Sequence, residues 1–312
     1  MKKRTAFTMI ELVMVIVVLG IVASIGAEIV AKLYENYLRT RAINQLQSQT
    51  EITLEQIAKR FQYRIKDSVR SIDADGVKVD VALPSADADY EIVEWIGISN
   101  ESFLGEWDGA SVVPGWSGLI DMDDANTSFA TRTLETPGSR LDFANNTIRA
   151  LTDDTVAMDG TAVKFPAIIF KGTKPGTFAN YYPPTPTYAN RVTCIVNNCA
   201  ANPTTFSLPN GLANLNGNAN GDLFEQYYLV HTAYALVPVG GADDFNLTLR
   251  YNYQPWEAGQ TFANGTNFVL AEHVSTFRIR QDGDVVRIKL CIHDNNQSGN
   301  FDFSACKEKV IY

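Results

Sequence analysis

From Leu12 to Ala27 the chain runs sixteen residues without a charge, and its apolar side chains fall on every side of a helix rather than on one face. Counted from Phe7 to Ala31, the segment has 25 residues, or roughly 37 Å as a helix, enough to cross a hydrocarbon core ~30 Å thick. Lys2, Lys3 and Arg4 precede it, which predicts a cytoplasmic N-terminus and the remainder of the chain on the other side. A cleaved secretory signal would end in a small-residue site and a break, whereas Ser24, Gly26 and Ala27 lead directly into more helical pattern. Leu33, Tyr37, Leu46, Leu54, Ile57, Phe61, Ile65 and Val69 recur mainly by threes and fours between Arg, Gln, Glu and Lys positions, the signature of one apolar stripe. No proline precedes Pro84, so a single helix is predicted over 7–70, with a membrane half (7–31) and an amphipathic half (32–70).

Past Asp73-Ala74-Asp75-Gly76 the texture changes to short β-branched and aromatic runs between Gly, Pro, Asn and Asp clusters. Strands are predicted over Val77–Ala82, Tyr90–Ile98, Val163–Phe170, Tyr227–Val237, Phe245–Tyr253, Phe268–Ile279 with a turn inside, and Val285–Ile292. The segment 172–222, rich in Pro, Asn, Gly and Thr, reads as a long surface excursion. The fold class is therefore α+β, a long N-terminal helix packed on an antiparallel β-rich head spanning 77–312.

Composition narrows the function. With 26 basic and 35 acidic side chains and a net charge of −9, a sequence-independent grip on phosphates is disfavoured and nucleic acid is not an expected partner. The three histidines, His231, His273 and His293, leave little material for a zinc site or a His-based triad. No P-loop, HExxH or GxSxG occurs, so no enzyme activity is expected. The four cysteines form two close pairs in sequence, Cys194 with Cys199 and Cys291 with Cys306. Each pair would close a polar loop as a disulfide in an oxidising compartment; the crossed connectivity would join segments about a hundred residues apart.

Glu11 does not fit a plain anchor. A charged side chain at the centre of a membrane helix costs about 2.5–3.5 kcal/mol, somewhat less near the interface, and asks for a cationic partner. The run Ala6-Phe7-Thr8-Met9-Ile10-Glu11-Leu12 behind a basic leader resembles the class III signal of type IV prepilins and type II secretion pseudopilins. The resemblance implies removal of residues 1–6 by the prepilin peptidase between Ala6 and Phe7, with N-methylation of Phe7. It also implies that Glu11 neutralises the Phe7 amine of a neighbouring subunit. Ala6 departs from the Gly that the family most often has. Phe268–Arg280 and Val285–Ile292, with the Arg- and Gln-rich helix, are similar to J-type minor pseudopilins and W-type minor pilins. This implies other pilin subunits, an inner-membrane assembly platform and the membrane itself as partners. The expected location is the bacterial inner membrane with a periplasmic head, then a pilus or pseudopilus. The competing reading is a membrane-anchored surface adhesin or binding protein that never polymerises.

One cofactor is suggested. Asp294, Asn296, Ser298 and Asp302 place oxygen side chains at positions 1, 3, 5 and 9 of a turn, Asn300 adds a seventh, and Gly299 is sixth, much of an EF-hand-like calcium loop. Its twelfth position is Ala305 where a bidentate Glu is expected, and a polar hairpin turn between Cys291 and Cys306 would use the same residues.

Overall fold

The computed structural model describes residues 8–73, 78–80, 90–128, 131, 133–162, 164–171, 181–182, 192–194, 203–207, 224–282, 285–294 and 303–312. A long N-terminal apolar helix, α1 (Met9–Gln62), is followed by an antiparallel β-rich domain. The helix is 54 residues long, about 80 Å. It stops short of Val69 because the next residues find partners on a strand. The Ile65 N–H donates to the Ile96 carbonyl at 2.9 Å, and the Ile98 N–H donates to the Tyr63 carbonyl at 2.7 Å. Ile65 and Val69 are buried as the helical stripe suggests, but through a short 3-10 turn and the entry to β1 (Arg70–Asp73).

The strands that follow are β2 (Lys78–Asp80), β3 (Tyr90–Ile98), β4 (Glu106–Trp107), β5 (Val112–Val113), β6 (Thr133–Glu135), β7 (Ala167–Phe170), β8 (Val192–Cys194), β9 (Thr205–Ser207), β10 (Tyr227–Gly240), β11 (Phe245–Tyr253), β12 (Thr266–Asp282), β13 (Val285–His293) and β14 (Ser304–Ile311). Among the described residues, ten strands form one sheet along the path β14-β13-β12-β11-β10-β3-β1-β2, with β7 and β8 branching from β10. The branch point is Val230, which pairs Ile98 of β3 on one edge and Ala167 of β7 on the other.

Two faces of the sheet are covered differently. Leu46, Leu54, Ile57, Ala58 and Phe61 of α1 pack on Trp95, Leu236, Leu249, Val274, Ile288, Leu290 and Ile311, with the Phe61 and Trp95 rings 4.5 Å apart. On the opposite face Ile96, Ala233, Ala235, Tyr253 and Trp256 bury Tyr181. A third cluster forms around α2 (Leu141–Leu151), a helix not anticipated from sequence, whose Leu141, Ala144 and Ile148 meet Trp116, Phe206 and Tyr227. Within 172–222, expected as a surface excursion, the described Tyr181 and Phe206 are core residues, and β8 and β9 pair with β7 and β6. The expected turn within 268–279 is absent; β12 passes through with register shifts and a left-handed residue, His273 at φ 55°. The last strand, β14, also escaped the sequence reading. Its inward positions include Lys307 and Lys309, which pair with Glu51 and Glu55 on successive turns of α1.

Candidate functional site

The outstanding feature is the helix before it meets the head. Thr8 is its extended N-cap residue, and both its N–H (3.5 Å) and its hydroxyl (3.3 Å) donate to Oε2 of Glu11. Glu at the third helical position reaching back to a Thr cap satisfies donors that a helix start leaves open. In the single chain, then, this carboxylate is turned onto its own helix terminus. From Met9 to Leu38 the large apolar side chains are exposed, Met9 at 87%, Ile16 at 60% and Leu33 at 63%, and none of the span is buried by the head. A helix apolar on all sides requires hydrocarbon or other helices around it. First contact with the head comes where Arg39 lies 4.8 Å from the ring centre of Phe303, which leaves about 45 Å of helix bare.

Residues 1–27 match the family model for the prokaryotic N-terminal methylation motif. The N-terminus thus carries a methylation-type motif. The match supports the type IV pilin and pseudopilin family, a structural rather than enzymatic kind of protein, and implies processing by prepilin peptidase and assembly with other pilins. With the bare apolar helix it supports a membrane-anchored pilin. No curated protein and no solved structure matches the chain.

Of the processing and assembly residues, Glu11 occupies the first turn of α1, while Ala6 and Phe7 lie outside the described residues. Cys291 and Cys306 stand opposite each other in the β13–β14 pair and are joined by a disulfide, with Cα atoms 4.0 Å apart. Cys194 ends β8, and Cys199 lies outside the described residues. At the base of the segment for which calcium was expected, the Asp294 N–H donates to the Phe303 carbonyl at 2.8 Å. Asn296, Ser298, Asn300 and Asp302 are outside the described residues.

The structure also brings together groups that the sequence keeps apart. Asp244, in the β10–β11 turn, lies against His273 on β12 and His293 at the end of β13. Only the pairing of neighbouring strands makes them a set, since no short-range His spacing announces it. The third histidine is separate: His231 is buried, its Nδ1 2.8 Å from the Ser99 hydroxyl, and burial lowers its pKa to about 4.

Proposed function

We propose that the chain is a minor pilin or pseudopilin, of the J-type or W-type kind, that assembles through α1 and presents its β-rich head outside the cytoplasm. The single observation carrying this is the apolar helix, bare on every side and bearing one carboxylate in its first turn. Cleavage between Ala6 and Phe7 would free an amine one residue before the Thr8 cap. In a helical stack, the amine of an incoming subunit replaces Thr8 as the partner of a neighbour's Glu11, so each buried charge meets its opposite. The apolar surface then passes from lipid to other helices with its backbone hydrogen bonds intact. A head of this size, threaded with long segments, suits a minor or tip position better than one repeated thousands of times.

The test is the mature N-terminus of the chain expressed with prepilin peptidase, together with its presence in sheared fibres or pseudopili. Methyl-Phe7 at the terminus and recovery in the fibre support the reading. Retention of residues 1–6 on the membrane-bound chain overturns it in favour of a non-polymerising surface adhesin or binding protein. A type II secretion pseudopilus and a type IV pilus would use the same helix chemistry. Neighbouring genes for a secretin with pseudopilins, or for a retraction motor, distinguish the two.

A further inference from the structure

Asp244, His273 and His293 come from the β10–β11 turn, the middle of β12 and the end of β13. Gly240, at φ 146°, starts the turn; a Cβ there would lie 2.8 Å from the Asp244 carbonyl oxygen and 2.9 Å from the Phe245 Cα, so only glycine lets the turn close this tightly. Asp244 follows at once, bonded back to Gly241 through both backbone groups. On β12 the register against β11 shifts between Leu247↔Ala271 and Phe245↔Val274. The bulge re-aims His273, which sits at φ 55°, a conformation uncommon for a residue with a Cβ. Such backbone persists where the surroundings enforce it and clusters at functional positions. His293 closes β13 two residues after the disulfide-bonded Cys291.

Their ligand atoms converge. His273 Nδ1 is 3.1 Å from Asp244 Oδ1, and His293 Nε2 is 3.7 Å from the same oxygen. All three ligand atoms lie within 4.8 Å of one another. Four ligands at about 2.0–2.1 Å around a tetrahedral ion stand about 3.3 Å apart, so modest side-chain rotations would place one ion among them. The cluster opens into a cleft between the strand ends and α1, lined by Arg41, Gln45, Gln49 and Glu272, which gives an ion a path from solvent.

We propose that Asp244, His273 and His293 bind one divalent transition-metal ion of the zinc class. Two imidazole nitrogens and one carboxylate oxygen select zinc, cobalt, nickel or copper over calcium and magnesium, which take oxygen ligands. Three protein ligands leave a fourth position for water. The ion ties the β10–β11 turn to β12 and β13 at the cleft facing α1 residues Leu38–Gln49, so it stiffens the root from which the bare helix leaves the head. This site is distinct in its ligands from the calcium loop that begins at Asp294.

The experiment is a cobalt(II) titration of the untagged full-length chain in detergent after treatment with a chelator, read by visible absorption and by displacement with zinc. One cobalt per chain is expected, with the visible bands of a low-symmetry site that zinc abolishes. Loss of a partner behind the ligands typically costs about 10–100-fold in affinity. Asp244→Asn, His293→Gln and His273→Asn should therefore each weaken binding at least about tenfold. Asn tolerates a positive φ, so His273→Asn reports on the ligand without disturbing the bulge. Asp302→Ala, which lies outside the proposed ligand set, should leave cobalt binding unchanged. Absence of cobalt binding, or binding indifferent to all three ligand substitutions, overturns the proposal. Loss of cobalt on Asp302→Ala overturns this ligand set as well.

Discussion

Arg70 and Glu94 stand directly opposite each other in the β1–β3 pair and form an ion pair sealed from solvent, with side chains 9% and 0% exposed. Nε of Arg70 donates to Glu94 Oε2 at 2.6 Å, and the Tyr253 hydroxyl donates to Oε1 at 2.8 Å. The guanidinium lies 3.6 Å from the ring centre of Tyr182, whose hydroxyl donates to the Ser68 carbonyl at 2.7 Å. One carboxylate thus ties the strand after α1 to β3, β11 and the segment around Tyr182. Burial, with the nearby Glu94 charge, raises the pKa values of Tyr182 and Tyr253 well above the usual phenol range. Removing one partner of such a pair leaves the other charge buried. Glu94→Gln should therefore destabilise the head by about 3–5 kcal/mol, and the double variant with Arg70→Met should recover part of that loss. Urea unfolding followed by Trp fluorescence measures both; a neutral Glu94→Gln would refute the arrangement.

His231 predicts an acid limb in stability. Its folded pKa is lowered by burial from 6.5 to about 4, so between those values the unfolded chain takes up a proton that the folded chain does not. The stability is present above pH 6.5 and is lost as pH falls towards 4. By pH 5 the loss should reach about 2 kcal/mol. His231→Gln should flatten the profile between pH 7 and pH 5, whatever it does to stability at neutral pH. An unchanged slope would rule His231 out as the cause.

The Cys291–Cys306 bridge closes a sequence separation of 15 residues across β13 and β14. In the chain-entropy account, a loop of that length is worth about 3 kcal/mol. Replacing both cysteines by Ala should cost about 2–4 kcal/mol, and non-reducing peptide mapping should recover the 291–306 peptide pair. Free thiols at these positions in the chain isolated without reductant would contradict it.

Glu11→Ala should leave membrane insertion intact, since it removes a costly charge from the apolar segment, yet sharply reduce recovery of the chain in fibres. A bulky residue in place of Ala6 should block removal of residues 1–6. Immunoblots of membrane and sheared fractions read both, and wild-type recovery of the Glu11 variant would defeat the charge-pairing argument.

For the loop beginning at Asp294, millimolar calcium should raise the melting temperature of the full chain in detergent, as fits the roughly 10⁻⁴ to 10⁻³ M affinities of extracellular modules. Asp294→Ala together with Asp302→Ala should abolish the rise. An unchanged melting curve for the unmutated chain leaves the hairpin turn as the reading.

The features legible from local pattern are those that local pattern alone decides. Sixteen uncharged residues from Leu12 to Ala27 can only be a helix in hydrocarbon or among other helices. Threefold and fourfold spacing likewise placed Leu54, Ile57 and Phe61 on the packed stripe, and β-branched and aromatic runs marked most of the central strands. Tertiary structure decided the rest. Ile65 and Val69 continue the helical spacing, yet the chain leaves the helix at Gln62 because the edge of β3 offers Tyr63 and Ile65 backbone partners. Ser304–Ile311 lacks an apolar alternation, and it becomes a strand because β13 presents an edge and α1 presents Glu51 and Glu55 to Lys307 and Lys309. Asp244, His273 and His293 are far apart in sequence, and only the pairing of β11, β12 and β13 brings them together. The physical reason is the same in each case: a hydrogen-bonding edge or a buried charge acts on residues remote in the chain, and no local period records it.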